Sequence, residues 1–229
     1  MARRSRLSTA GLLWLAAGAV YAGCEAIAAR AYPGYSYARN YISDLGVPYP
    51  GVYEGRVQDS QLAGVMNFGF IAEGALMLAG TLVAVRLLTS RGVGAGLVGL
   101  AGVHAVGITL VALFPAGELS SELTLQLHVT GAGMSIVAGN LLIISAGLAS
   151  RALKAPRWYA VGSVALGVTG LVSLVMLLVV SGSTSIDLLP DGVWERGAVG
   201  AITLWQIGTG VLLLVKRPGR SGSSSGTSR

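Results

Sequence analysis

"MARRSRLSTAGLLWLAAGAVYAGCEAIAARAY", residues 1–32, opens the chain. A basic stretch followed by an apolar run is also the shape of a secretory signal, whose apolar region lasts about 7–15 residues. Here the apolar run continues past Gly23, through Cys24, to Ala31. That is long enough for the roughly 20 residues a bilayer span requires. The stretch is therefore read as a retained transmembrane helix over 10–31.

Working outward, five further apolar runs follow at 60–86, 93–114, 125–149, 157–181 and 194–215. The 229-residue chain is 53% hydrophobic and only 11% charged, with a mean hydropathy of +0.68. Soluble domains carry about a quarter charged residues, so the expected fold class is all-α, an integral membrane bundle of six transmembrane helices. Residues 1–9 form a basic N-terminus, 10–216 the membrane domain, and 217–229 a Gly/Ser-rich tail expected to be disordered. A single cysteine, Cys24, excludes a disulfide within the chain and a cysteine zinc site. A catalytic zinc usually takes three protein ligands. There are only two histidines, His104 and His128, at different expected depths. No nucleotide-binding glycine loop is present either, so neither metal nor cofactor is expected.

The net charge of +6 does not point to nucleic acid, because the basic residues are sorted by side. Arg3, Arg4 and Arg6 precede the first span, and Arg86 and Arg91 flank the second connection. Arg151, Lys154 and Arg157 fill the fourth, and Lys216, Arg217, Arg220 and Arg229 follow the last span. The opposite side holds only Arg30, Arg39, Arg56 and Arg196. Excess Lys/Arg marks cytoplasmic loops, which puts both termini in the cytoplasm of a plasma-membrane protein. The acids lie at the opposite, outer side, with Glu25 just below its boundary and Glu73 deep in the second span.

Ionisable residues inside apolar runs are costly and point to function. At 1.5 Å per residue, Glu73 lies about 18–20 Å and His104 about 15 Å below the outer ends of their helices. Neighbouring helices could bring the two together near mid-bilayer. Helical spacing places Trp14, Tyr21 and Glu25 on one face of the first span, and Glu195, Ile202 and Gln206 on one face of the sixth. His128 opens a stripe in the fourth span with Ala132, Ser135 and Gly139, while Asn140 points elsewhere and can bond a neighbouring backbone. Gly92, Gly96 and Gly99, Gly131 and Gly139, and Ser163, Gly167 and Gly170 recur at helical spacing and suggest close helix packing.

The outer loop 32–59 is long for a bundle connection, where 2–8 residues are usual. It is rich in tyrosine and stiffened by Pro33, Pro48 and Pro50, and is expected to lie across the outer mouth. Its segment "NYISDLG", Asn40–Gly46, together with "LFP" at Leu113–Pro115 and His128 opening the fourth span, resembles the family called domain of unknown function 998. "YISDLG" is more distantly similar to an element of eukaryotic DRAM-like and Sfk-like membrane proteins. Some of those are linked to GPI-anchor lipid maturation or lipid organisation. The resemblance implies a six-helix fold and suggests that the first loop folds onto the mouths of the third and fourth helices. Asp44 would then orient His128 or pair with Arg39 or Arg196.

Three function classes fit. The first is an outward-facing polar site above an apolar cavity, binding or modifying a membrane lipid or isoprenoid. Asn40, Tyr41, Ser43, Arg39, Arg196, Glu25, Glu195, Gln206, Trp14, Tyr21 and Phe114 would contact the ligand. Glu73, His104, Asp44 and His128 are the general acid–base candidates if there is catalysis, and a protonated Glu73 could start prenyl cyclisation. The second is a structural or accessory protein with the loop as a latch. The third is a small-solute transporter.

Overall fold

The computed structural model describes residues 2–182 and 188–215. The tail expected to be disordered, the basic residues from Lys216 onward and Asp187 lie outside the described residues. Six helices are long and apolar enough to cross a membrane: α1 (Ala2–Ala31), α2 (Ala63–Val85), α3 (Arg91–Leu113), α4 (Glu122–Ala149), α5 (Arg157–Ser181) and α6 (Asp191–Val215). Hydrocarbon offers the backbone no hydrogen-bond partner, so a spanning apolar run must satisfy its own peptide groups as helix. Seryl side chains start two of the helices. Ser90 Oγ accepts from Val93 N at 3.4 Å, and Ser121 Oγ from Thr124 N at 3.2 Å. α1 starts earlier than residue 10: no Gly or Pro interrupts Arg3–Thr9, so the basic residues ride on its first turns.

Each helix packs on its chain neighbours, and α1 closes the ring against α6, with α4 touching α6 across the middle. The outward faces are apolar; Val161, Val168, Val172, Val175 and Leu178 of α5 are all exposed, as a lipid-facing surface requires. The interior falls into two apolar clusters. One joins Tyr21, Phe70, Ile108 and Val111 to Ile42 and Leu45 of the first loop. The other joins Trp14, Met77, Leu97, Leu142 and Trp205 toward the Arg/Lys-rich end.

Small residues do set the closest crossings, but not all of those expected. Nothing lies within 4 Å of a Cβ built on Gly92, Gly96 or Gly99. These positions face outward, away from the α3 partners. The α3–α4 contact is made instead by Gly107 and Gly131, where an added Cβ would stand 2.6 and 2.7 Å from the other's carbonyl oxygen. Asn140 ties α4 to α6 by donating to Ala198 O at 3.0 Å, and also to Ile136 O at 2.8 Å.

The first loop is more ordered than its length suggests. A 3-10 turn, Ser43–Gly46, is followed by a hairpin of β1 (Gly51–Tyr53) and β2 (Arg56–Gln58). The two-residue connection, Glu54 and Gly55, has φ of 50° and 76°. Both central residues are left-handed, the twist-matched geometry of tight hairpins. Ile42, Leu45 and Val47 are buried, and Asp44 with them, so the turn is sunk into the bundle mouth. Burying each such side chain is worth roughly 1.5–3 kcal/mol.

Gly131→Ala should therefore destabilise by about 1–3 kcal/mol through overpacking. In a detergent thermal-unfolding assay its midpoint should fall by several degrees, while Gly133→Ala, which meets nothing within 4 Å, should leave it unchanged.

Candidate functional site

The loop is held by charges that it buries itself. Asp44 is only 2% exposed. Its Oδ2 accepts from Tyr41 N at 3.0 Å and Arg56 Nε at 3.3 Å, and its Oδ1 from Gln58 Nε2 at 2.8 Å. Gln58 also donates to Ala116 O at 2.9 Å, which fastens the hairpin to the α3–α4 connection. The Tyr49 and Ser120 hydroxyls meet there at 2.8 Å, and Glu118 accepts from Val52 N at 2.7 Å.

Two residues of α6 grip the same loop from the other side. Glu195 accepts from Ile42 N. Arg196 donates to Tyr37 O at 2.6 Å and Asn40 O at 2.9 Å, and lies 4.8 Å over the Tyr37 ring. Its charge is met by Glu25 of α1 at 3.1 Å. Tyr41 donates to Asp191 at 2.9 Å. Burial pushes the Tyr35 and Tyr41 phenols above their ordinary range, and the Asp191 carboxylate pushes Tyr41 further, so both stay neutral donors.

This geometry corrects the expected partners of Asp44. It pairs with Arg56 because the hairpin carries that guanidinium back over the 3-10 turn. Arg196 is occupied by Glu25 and loop carbonyls, and Arg39 is exposed. His128 is oriented by Phe114, whose carbonyl oxygen sits 2.7 Å from His128 Nδ1. Asn40 lies within the Asp44 network, with Nδ2 at 3.4 Å from Oδ2.

Below the loop, Glu73 and His104 meet. His104 Nε2 is 2.9 and 3.1 Å from the two Glu73 oxygens, and both residues are 2% exposed. Gln206 of α6 donates to Glu73 Oε1. His104 Nδ1 stands 2.8 Å from Ser135 O. A backbone carbonyl only accepts, so Nδ1 must carry a hydrogen. One proton is then shared between Nε2 and the Glu73 carboxyl. The pair is neutral as a whole whichever atom holds it, which is how ionisable groups are accommodated at this depth.

Between this pair and the loop lies a cavity of about 50 Å³. Its polar lining comes from five segments: Tyr21 of α1, Ser43 of the loop, His104 of α3, His128 and Ser135 of α4, and Glu195 of α6. Because His128 Nδ1 faces the Phe114 carbonyl, its neutral form presents Nε2 as a lone-pair acceptor. Among the described residues Nε2 has no partner. The Glu195 carboxyl and the Tyr21 and Ser43 hydroxyls complete the polar lining, so the cavity offers both donors and acceptors.

The structure thus brings His104, His128, Glu195, Ser43 and Tyr21 to one cavity, with Glu73 and Gln206 directly behind. Asn40, Tyr41, Asp44, Glu25 and Arg196 bind the loop, and Phe114 orients His128. Trp14 stands apart, against Trp205 with ring centroids 5.0 Å apart, toward the Arg/Lys-rich end. Sequence reading overlooked Arg56, Gln58 and Asp191 as partners of the loop. The signal for the first two was "YEGR", Tyr53–Arg56, a two-residue turn with Glu where Asn or Asp is usual. Among the described residues no three His, Cys, Asp or Glu side chains are grouped to hold a metal.

Asp44→Asn removes the charge that Arg56 faces and places an amide hydrogen pair among donors. It should cost about 2–3 kcal/mol and lower the melting midpoint measurably. Asp59→Asn, whose side chain meets only the exposed Gln61 amide, should stay within about 0.5 kcal/mol of wild type.

Neither the curated proteins nor the solved structures provide a match to the chain. A family model does, described as protein of unknown function (DUF998), over residues 15–212. The match runs from the middle of α1 to the last turn of α6 and so contains the loop, the buried pair and the cavity. The protein belongs to the DUF998 family.

Proposed function

We propose that the protein binds, and acts on, a membrane lipid or isoprenoid whose polar group enters the cavity beneath the first loop. The observation that carries this reading is the convergence of Ser43, His104, His128 and Glu195 on one buried space. A latch needs its polar groups paired with one another, as those of Asp44 and Arg196 are. Here His128 Nε2 faces the cavity with no partner among the described residues.

The lone pair of His128 Nε2 supports a ligand group that donates a hydrogen bond, a hydroxyl or an amine. His128 Nε2 is the base for such a group, with its tautomer held by Phe114. The Glu73–His104 pair supplies a reserve proton behind it. Glu73 does not line the cavity, so His104 is the member that meets the ligand. About 50 Å³ admits little more than a water or a single small group. Entry of a larger polar group therefore requires the Ile42–Ser43 turn to lift from Glu195. The Arg/Lys-rich end faces the cytoplasm in this reading and the loop faces outward, in the plasma membrane.

Mass spectrometry of lipids extracted from gently purified wild type, Ser43→Ala and His128→Ala tests this. A discrete hydroxyl- or amine-bearing lipid or prenyl species should accompany wild type and fall at least about tenfold in both variants, a difference worth about 1.4 kcal/mol. Ser43→Ala should leave the melting midpoint nearly unchanged, whereas His128→Ala, which also leaves the Phe114 carbonyl unpaired, should destabilise by about 1–3 kcal/mol. Identical bulk lipid in all three proteins, with melting lowered in Ser43→Ala as well, would make the loop a latch instead.

A further inference from the structure

A cavity larger than the one under the loop lies elsewhere in the described residues. It has a volume of about 220 Å³ and lies at the opposite, Arg/Lys-rich end, enclosed by residues of all six helices. It is separate from the space beneath the outer polar site. The Glu73–His104–Gln206 layer separates the two.

Three properties define what fits. The walls are apolar and aromatic: Trp14, Leu97, Leu142 and Trp205 at the closed end, and Leu153 and Trp158 nearer the mouth. Its depth follows from α1, where Arg3 and Trp14 both line it. At 1.5 Å per residue they are about 16 Å apart, close to half of the ~30 Å hydrocarbon core, the share of one leaflet. The mouth is basic. Arg3 and Lys154 line it, and Arg4, Arg6, Arg86, Arg91, Arg151 and Arg157 belong to the same end. Every carboxylate of the described residues lies at mid-membrane or at the loop end. An anionic head group would therefore meet cations there and no competing acid.

We infer that this cavity takes one acyl chain of an anionic phospholipid from the adjoining leaflet, with its phosphate held by Arg3 and Lys154. Basic pockets between transmembrane helices on the cytoplasmic side suit such head groups. The site is distinct from the loop-end cavity: it differs in position and in the charge it selects, and neither needs the other.

The test uses the buried indoles as reporters. Trp158 is 59% exposed and would be quenched by any surrounding lipid, whereas Trp14 and Trp205 are 7% and 3% exposed. In a Trp158→Phe/Trp194→Phe background in detergent, the remaining fluorescence comes from the two residues that an entering chain reaches. Phosphatidylglycerol and phosphatidylcholine with brominated acyl chains are titrated in turn. Phosphatidylglycerol should quench at the lower concentration. Each charge removed, by Arg3→Gln or by Lys154→Asn, should weaken its apparent affinity about fivefold. Asparagine is chosen for Lys154 because that residue has φ of 60°, where asparagine is tolerated. Ala146→Phe, which fills the cavity from α4, should abolish quenching while the protein still melts cooperatively. Equal quenching by the two lipids, insensitivity to the charge variants, or no quenching of the buried pair would each overturn the assignment.

Discussion

Glu73 places a carboxyl inside the bundle, only 2% exposed, and that demand organises the packing around it. An unpaired charge at this depth would be expelled or would neutralise itself. Three helices answer it: α2 carries the carboxyl, α3 brings His104 to within 2.9 Å, and α6 adds the Gln206 amide. Ser135 O of α4 then fixes the imidazole from behind. The result is a polar layer with apolar clusters above and below it. The close α3–α4 crossing at Gly107 and Gly131 lets α4 reach the layer, so backbone packing and polar satisfaction impose the same arrangement.

The first loop repeats this logic at the membrane boundary. Its buried carboxylate, Asp44, is met within the loop by Arg56 and Gln58, and Glu195 and Arg196 of α6, the latter paired with Glu25 of α1, grip the loop from the other side. Ile42, Leu45 and Val47 occupy the mouth below. The Ile42 turn is held to the helices by Glu195 at Ile42 N, by Asn67 Nδ2 of α2 at Gly46 O (3.0 Å), by Arg196 and Asp191 at the two residues before it, and by its apolar contacts. The hairpin is tied to the α3–α4 connection by several hydrogen bonds.

Much of this was legible in the sequence, for physical reasons that can be named. Six apolar runs read directly as spans because length and composition suffice for a membrane helix. The meeting of Glu73 and His104 followed from depth, since helical rise converts residue count into position. The Asp44 partner was not legible. It depends on a hairpin register set by Glu54 and Gly55, and Glu is a poor marker of a left-handed turn position. The glycines at 92, 96 and 99 misled because spacing shows which residues share a face but not which face meets a neighbour. The position of the larger cavity was hidden for a related reason, as voids arise from mismatched side-chain volumes on several helices at once.

The most direct measurement is an experimental structure of the protein in nanodiscs formed from its native membrane. The account predicts ligand density between Ser43, His104, His128 and Glu195, with the Ile42–Ser43 turn displaced from Glu195 while the hairpin stays in place. A loop closed on Glu195 in every particle class, with nothing beyond water in the cavity, would contradict it.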